Sequence, residues 1–194
     1  MSIEQRAQCG ITLVEQIVFI VIVSVGVVGL ISVMGPMIRQ SADPMTTKQS
    51  LTIAEALLNE VLHQPFTWCD PDDANAATAT SYAGCAVTAN AQNVPGPTPS
   101  GETRNGGVGA VFDNVRDYHG FKMDDIADPS GSSIVSGYRA EVAIAEAGGV
   151  FGLASDVALA VTVTVCRTTS PSSDCAGRES FNLTGYRFRY APRF

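Results

Sequence analysis

Apolar and polar residues fall into three regimes along the chain. Residues 11–37, ITLVEQIVFIVIVSVGVVGLISVMGPM, are almost continuously apolar. A membrane-spanning helix needs roughly 20 such residues, and this run exceeds that with one charge, Glu15. Residues 48–64 follow a helical period instead. Leu51, Ala54, Leu58, Val61 and Leu62 share one face with Ile53 and Leu57 at its shoulder, while Lys48, Thr52, Glu55, Asn59 and His63 share the other. Between the two, Pro36 is expected to interrupt the helix, and Asp43-Pro44 offers an N-cap followed by a first-turn proline. The pattern predicts one long, kinked helix whose second half lays an apolar stripe on a globular domain.

The C-terminal part alternates with period two. Tyr138, Ala140, Val142 and Ile144 alternate with Arg139, Glu141, Ala143 and Ala145, and Val157, Leu159, Val161, Val163 and Val165 alternate with Ala and Thr. In a third segment Phe181 and Leu183 face one way, whereas Tyr186, Phe188 and Tyr190 are out of parity by one residue. A β-bulge is therefore expected at Gly185. Strands with one polar and one apolar face imply an antiparallel sheet of at least three strands, half covered by the amphipathic helix. The predicted fold class is α+β. Between helix and sheet, residues 65–133 have weak periodicity and carry the turn-rich runs Pro95-Gly96-Pro97-Thr98-Pro99-Ser100-Gly101 and Asn105-Gly106-Gly107. A connection this long is usually functional or unstructured.

Composition sharpens this layout. Hydrophobic residues make up 45% of the 194, charged ones 16%, and the net charge is −7. The apolar excess sits in the first block, leaving the rest polar and acidic. That balance argues against a nucleic-acid partner, whose phosphates demand a basic face. Nor does any polybasic run suit anionic lipid heads. Of five cysteines, Cys9 precedes the apolar block, and Cys69, Cys85, Cys166 and Cys175 follow it. None forms a C-x-x-C pair, which weakens zinc and thioredoxin-like readings. Four cysteines beyond a membrane segment suggest two disulfides in an oxidising compartment, for a bacterial chain the periplasm. Three pairings are open; the local pairs Cys69–Cys85 and Cys166–Cys175 require the least chain reversal.

Candidate chemistry is sparse. Asp70-Pro71-Asp72-Asp73-Ala74-Asn75 places four oxygen-bearing side chains within six residues, as a calcium loop would. It lacks the central Gly and distant Glu of an EF-hand, and Pro71 fits a plain turn, so no metal site is assigned. Asp124, Asp125 and Asp128 read as a solvated acidic face. His63 and His119 are the only histidines, and His63 lies on the polar helix face. Neither a nucleophile elbow nor a phosphate-cradling glycine loop is present. The chain is expected to be neither an enzyme nor a cofactor binder.

The segment before the apolar run, MSIEQRAQCG, is short and ends in Gly10. A secretory signal would place its small-residue cleavage site after the apolar run, so the apolar segment is expected to be retained. Gly10, then Ile11-Thr12-Leu13-Val14-Glu15, then an apolar helix resembles the class III signal of type IV prepilins and pseudopilins. Ile11 stands where that family usually has Phe, and the leader balances Arg6 with Glu4. The resemblance implies cleavage between Gly10 and Ile11 by a prepilin peptidase, N-methylation of Ile11, and pairing of Glu15 with the N-terminal amine of a neighbouring subunit. It implies the type IV pilin fold, divided into leader 1–10, membrane or filament-core helix 11–37, amphipathic helix 38–64, disulfide-containing loop region 65–133 and sheet region 134–194, with 38–194 as one periplasmic domain.

Three further segments extend the likeness over most of the chain: Gln64-Pro65-Phe66-Thr67-Trp68-Cys69-Asp70-Pro71-Asp72-Asp73-Ala74, Phe112-Asp113-Asn114-Val115-Arg116-Asp117-Tyr118-His119-Gly120-Phe121, and Leu183-Thr184-Gly185-Tyr186-Arg187-Phe188-Arg189-Tyr190-Ala191-Pro192. They look like the MshD-type minor pilins of mannose-sensitive haemagglutinin pili. The implied role is a minor subunit that primes or caps a pilus, held in the inner membrane with its N-terminus cytoplasmic. Its implied partners are other pilins and the pilus assembly platform. A pseudopilin of type II secretion and a pilus-tip adhesion module are the alternative readings.

Overall fold

The structure is a computed structural model describing residues 12–168 and 174–189, with residues 35–44 described by their helical backbone alone. The leader with Cys9 and Gly10, the junction at Ile11, and Tyr190 lie outside the described residues, as do the side chains of Pro36, Asp43 and Pro44. By its contacts the chain divides into Met1–Thr46 and Thr47–Phe194.

Helix α1 covers Leu13–His63 without a break. The expected interruption at Pro36 and restart at Asp43 do not occur in its backbone. A proline removes one hydrogen bond of the ladder and strains another, and the bonds on either side sustain the helix. In the second unit the stripe of α1 is centred on Ile53, Ala54, Leu57, Leu58 and Val61, all buried, with Leu51 and Leu62 half-buried at its margins. Ile53 and Leu57 thus belong to the core and not to its shoulder.

Four strands, β1 (Lys122–Ala127), β2 (Ser133–Glu146), β3 (Ala158–Arg167) and β4 (Ser180–Phe188), form an antiparallel sheet in that spatial order. Tyr138, Ala140, Val142 and Ile144 on β2 and Leu159, Val161, Val163 and Val165 on β3 are buried. Together with the stripe of α1 they form one hydrophobic cluster, completed by Phe66, Phe112, Val115 and Tyr118 from the loop region. The fold is α+β, a helix covering one face of the sheet.

Two features of the sheet depart from expectation. The β3–β4 register runs unbroken from Ala158↔Phe188 to Cys166↔Ser180, so Gly185 carries no bulge. Gly185 is instead a point of close approach: a Cβ there would meet Leu62 Cδ1 at 2.8 Å and Leu58 Cδ2 at 3.3 Å. Tyr186 and Phe188 face the other side of the sheet, where both pack edge-on against Phe151. The irregularity lies in β1, a strand inside the region expected to be loop. There the register with β2 shifts between Asp124 and Ile126, and Asp125 adopts a left-handed φ of 55°, which a short polar side chain tolerates. Its Oδ1 accepts from the Gly137 amide at 2.8 Å.

Candidate functional site

Leu13–Met34 is long and apolar enough to cross a membrane. Its 22 residues give about 33 Å of helix against a hydrocarbon core of about 30 Å. The side chains of this stretch are exposed, Leu13, Val14, Ile17, Val18 and Phe19 among them. The hydroxyls within it turn back on the helix: Ser24 Oγ donates to the Ile20 carbonyl at 2.6 Å and Ser32 Oγ to that of Gly29 at 2.8 Å. That is how a polar side chain is tolerated in lipid. Glu15 stands in the first turn, its backbone amide donating to Thr12 Oγ1 at 3.4 Å.

In the second unit, the loop region is organised by covalent and polar ties. Disulfides join Cys69 to Cys85 and Cys166 to Cys175, fitting an extracytoplasmic domain. Asp73, buried, gathers the first loop: its carboxylate accepts from the amides of Asn75, Ala86 and Val87 and from Asn90 Nδ2. The Ala86 and Asn75 amides, chiefly, hold its pKa down to about 2. Asn75 Nδ2 donates to the Gly84 carbonyl at 2.9 Å. Two of the four oxygen-bearing residues of the Asp70–Asn75 run therefore tie the loop to itself.

The other two, Asp70 and Asp72, meet residues from much further along the chain. Oxygens of Asp70, Asp72 and Asp113 lie within 4.8 Å of one another, and so do oxygens of Glu102, Asp113 and Asp117. Asp113 belongs to both sets. Asp70 is completely buried, Glu102 is 6% exposed, and Asp117 is buried. Asp113 and Asp117 flank the start of a 3-10 turn, Val115–Tyr118, capped reciprocally by Asn114 and Asp117. Asp117 is well supplied with donors, from Gln92 Nε2 at 2.9 Å and the amides of Asn114 and Thr98. Asp70 Oδ2, Glu102 Oε2 and Asp113 Oδ1 are buried without any.

Burial, then the charges of Asp117 and Asp70, push Glu102 up to about 8. Burial, then Asp70 and Asp117, push Asp113 up to about 7. Burial also raises Asp117 to about 6 against its donors, and it raises Asp70.

Three buried arginines complete the polar interior, which the sequence pattern did not foreshadow. Arg104 is held by Glu60 of α1, Nε to Oε1 at 2.7 Å and Nη2 to Oε2 at 2.6 Å. Arg116 pairs with Glu146 at 3.1 Å, and Arg139 with Asp124 and Glu141. Arg189 lies 3.7 Å over the Trp68 ring and 4.1 Å over Phe66. Asp124 and Asp125 are exposed as expected, and Asp128 caps its turn through Ser130 and Ser132. His63 and His119 are exposed, with Nδ1 close to the Asn59 carbonyl and accepting from the Ile144 amide, respectively.

No protein-family model, no curated protein and no solved structure matches the chain.

Proposed function

We propose that this chain is a minor type IV pilin-like subunit, anchored in the bacterial inner membrane by α1 and recruited into a pilus through that helix. The observation that carries the reading is Glu15, one turn into an apolar helix whose side chains are exposed over 22 residues. A lone carboxylate in lipid costs about 3 kcal/mol, so its presence asks for a partner. Cleavage after Gly10 supplies one: the new amine of Ile11 on a neighbouring subunit. Once helices bundle and water is excluded, the pair strengthens relative to either charge alone in the bilayer. Two disulfides in the second unit and a helix laid on an antiparallel sheet support the same reading.

The test is the variant Glu15→Val, expressed in a host with a prepilin peptidase and pilus machinery. Membrane insertion and leader removal should persist, while co-purification of the tagged variant with the pilus fraction falls. Mass spectrometry of the wild-type N-terminal peptide should find it beginning at methylated Ile11. Assembly of Glu15→Val at the wild-type level would reduce Glu15 to an interfacial carboxylate and overturn the proposal.

A further inference from the structure

A buried donor without an acceptor keeps its desolvation cost. Among the described residues, the buried side-chain nitrogens that lack an acceptor are Nε and Nη1 of Arg116, Nε of Arg187, and Nε and Nη1 of Arg189. Arg116 and Arg189 both donate Nη2 to the Tyr82 hydroxyl, at 3.1 and 3.2 Å, and Arg187 donates Nη2 to the Gln64 carbonyl at 3.2 Å. Arg104, Arg116 and Arg139 have carboxylate partners, whereas Arg187 and Arg189 form no ion pair among the described residues. Asp156 meets Arg189 through its backbone carbonyl, 3.5 Å from Nη2.

A cavity of about 420 Å³ lies in the same place, within the size range of small-molecule sites. Arg187 and Arg189 line it together with Phe66, Trp68, Val157 and Phe188. The two arginines stand two residues apart at the end of β4. The Arg189 amide still donates to the Val157 carbonyl at 2.8 Å, so both side chains leave the same side of the strand. Trp68 and Phe66 hold the Arg189 guanidinium, at 3.7 and 4.1 Å, but a ring offers no oxygen to Nε or Nη1. Burial above all, then the charge of Arg116, lower the Arg189 pKa against Tyr82 and Asp156, the direction expected of a cation short of counter-charge. All of these residues lie in the second unit, so the site is independent of the pilin reading of α1.

We propose that this cavity binds an organic carboxylate carried on an apolar body, with the carboxylate against Arg187 and Arg189 and the body against the apolar lining. Nε of Arg187 with Nε and Nη1 of Arg189 supplies donors for the two oxygens of one carboxylate, the group a guanidinium matches in shape and charge. The ligand brings the counter-charge that these two cations lack and ends the desolvation cost of their idle donors. An inorganic anion would answer the arginines but leave the apolar walls wet. A neutral aromatic molecule would fill the walls but leave the arginines as they are. Only the combination of charge and apolar body satisfies both parts of the lining.

Full-length protein in detergent tests the site, because Trp68, the single tryptophan, lines the cavity and reports its occupancy. Phenylacetate should change the Trp68 emission saturably, with a Kd of roughly 1 mM. Phenylacetamide, which lacks the charge, and acetate and inorganic phosphate, which lack the body, should each bind at least about 10-fold more weakly. Arg187→Gln should weaken phenylacetate by about 10-fold and leave phenylacetamide unchanged, a split that a purely structural arginine would not produce. Ala76→Phe keeps every arginine and fills the cavity that Ala76 lines; it should abolish binding without lowering Tm. No saturable response to phenylacetate, or equal binding of phenylacetamide, overturns the proposal. Undiminished phenylacetate binding in folded Arg187→Gln does so too, as it does in Ala76→Phe, which decides the matter where Arg187→Gln does not fold. Phosphate binding as tightly as phenylacetate overturns the assignment to an organic anion.

Discussion

Removing the Glu60 carboxylate should destabilise the second unit by about 3 kcal/mol, close to the cost of opening a buried ion pair. The Arg104 side chain is 6% exposed and that of Glu60 19%. Every nitrogen of the guanidinium donates: Nε and Nη2 to Glu60, and Nη1 to the carbonyls of Ala127 and Asp128 at 2.9 and 3.1 Å. The Tyr118 hydroxyl donates to Glu60 Oε1 at 2.9 Å. Glu60→Ala strands both Arg104 and Tyr118. Breaking a fully buried pair costs about 3–5 kcal/mol, and the partial exposure of Glu60 lets water reach the vacated space, which favours the lower end. For a domain of this size the loss corresponds to a Tm drop of roughly 6–12 °C.

Urea unfolding of the detergent-solubilised chain, read by Trp68, the single tryptophan, reports on this domain. Combining Glu60→Ala with Arg104→Ala completes a double-mutant cycle, in which coupling of about 2 kcal/mol is expected. Replacing both by Met should recover most of the loss, since an apolar pair does not leave an orphan charge. A cost below about 1 kcal/mol for Glu60→Ala, the range of exposed pairs, would refute the buried-pair reasoning.

Three further outcomes are expected. Replacing Cys69 and Cys85 by Ser, which opens a loop of sequence separation 16, should lower stability by about 3 kcal/mol on the chain-entropy account, measured by the same unfolding. Gly185→Val should cost about 1–3 kcal/mol through overpacking against Leu62 and Leu58, whereas a bulge at that position would have accepted the side chain. Asp73, held down to about 2 in the fold against about 3.9 unfolded, contributes stability that is complete above pH 4 and lost as pH falls through 2. The difference in Tm between wild type and Asp73→Asn should therefore shrink as the pH is lowered from 5 to 2.

How much of this was legible follows from what each pattern encodes. Helix α1 and strands β2 and β3 stand out because burial on one face writes a period directly into the residues. The aromatic residues of strand β4 mislead, because their change of parity suggests a bulge that the unbroken register does not have. Tyr186 and Phe188 instead meet Phe151 on the outer face, while the inward positions hold a glycine and Arg187. Strand β1, Lys-Met-Asp-Asp-Ile-Ala, has two apolar residues of use and a left-handed Asp125 in its middle, too little for a period to show. The buried arginines were illegible for a different reason. A charged residue reads as surface unless its partner is known, and Glu60 and Arg104 lie 44 positions apart.

The loop region meets the same limit. Its apolar anchors, Phe66, Phe112, Val115 and Tyr118, are buried in the common core, yet they are too widely spaced to form any repeat. What lies between them is held by pairwise ties: a disulfide, the amide hub at Asp73, and the cap at Asn114. Such ties obey no period, so a contiguous acidic run such as Asp70-Pro71-Asp72-Asp73 invites the reading that its members act together. The fold separates them. Asp73 receives four donors and stays ionised, whereas Asp70 is fully buried with an oxygen within 4.8 Å of those of Asp72 and Asp113. Identical side chains three residues apart thus carry opposite pKa shifts, the one set by amide donors and the other by burial among carboxylates. The number of donors that reach each oxygen, not the density of acids in the sequence, decides which carboxylate is held ionised and which is pushed up.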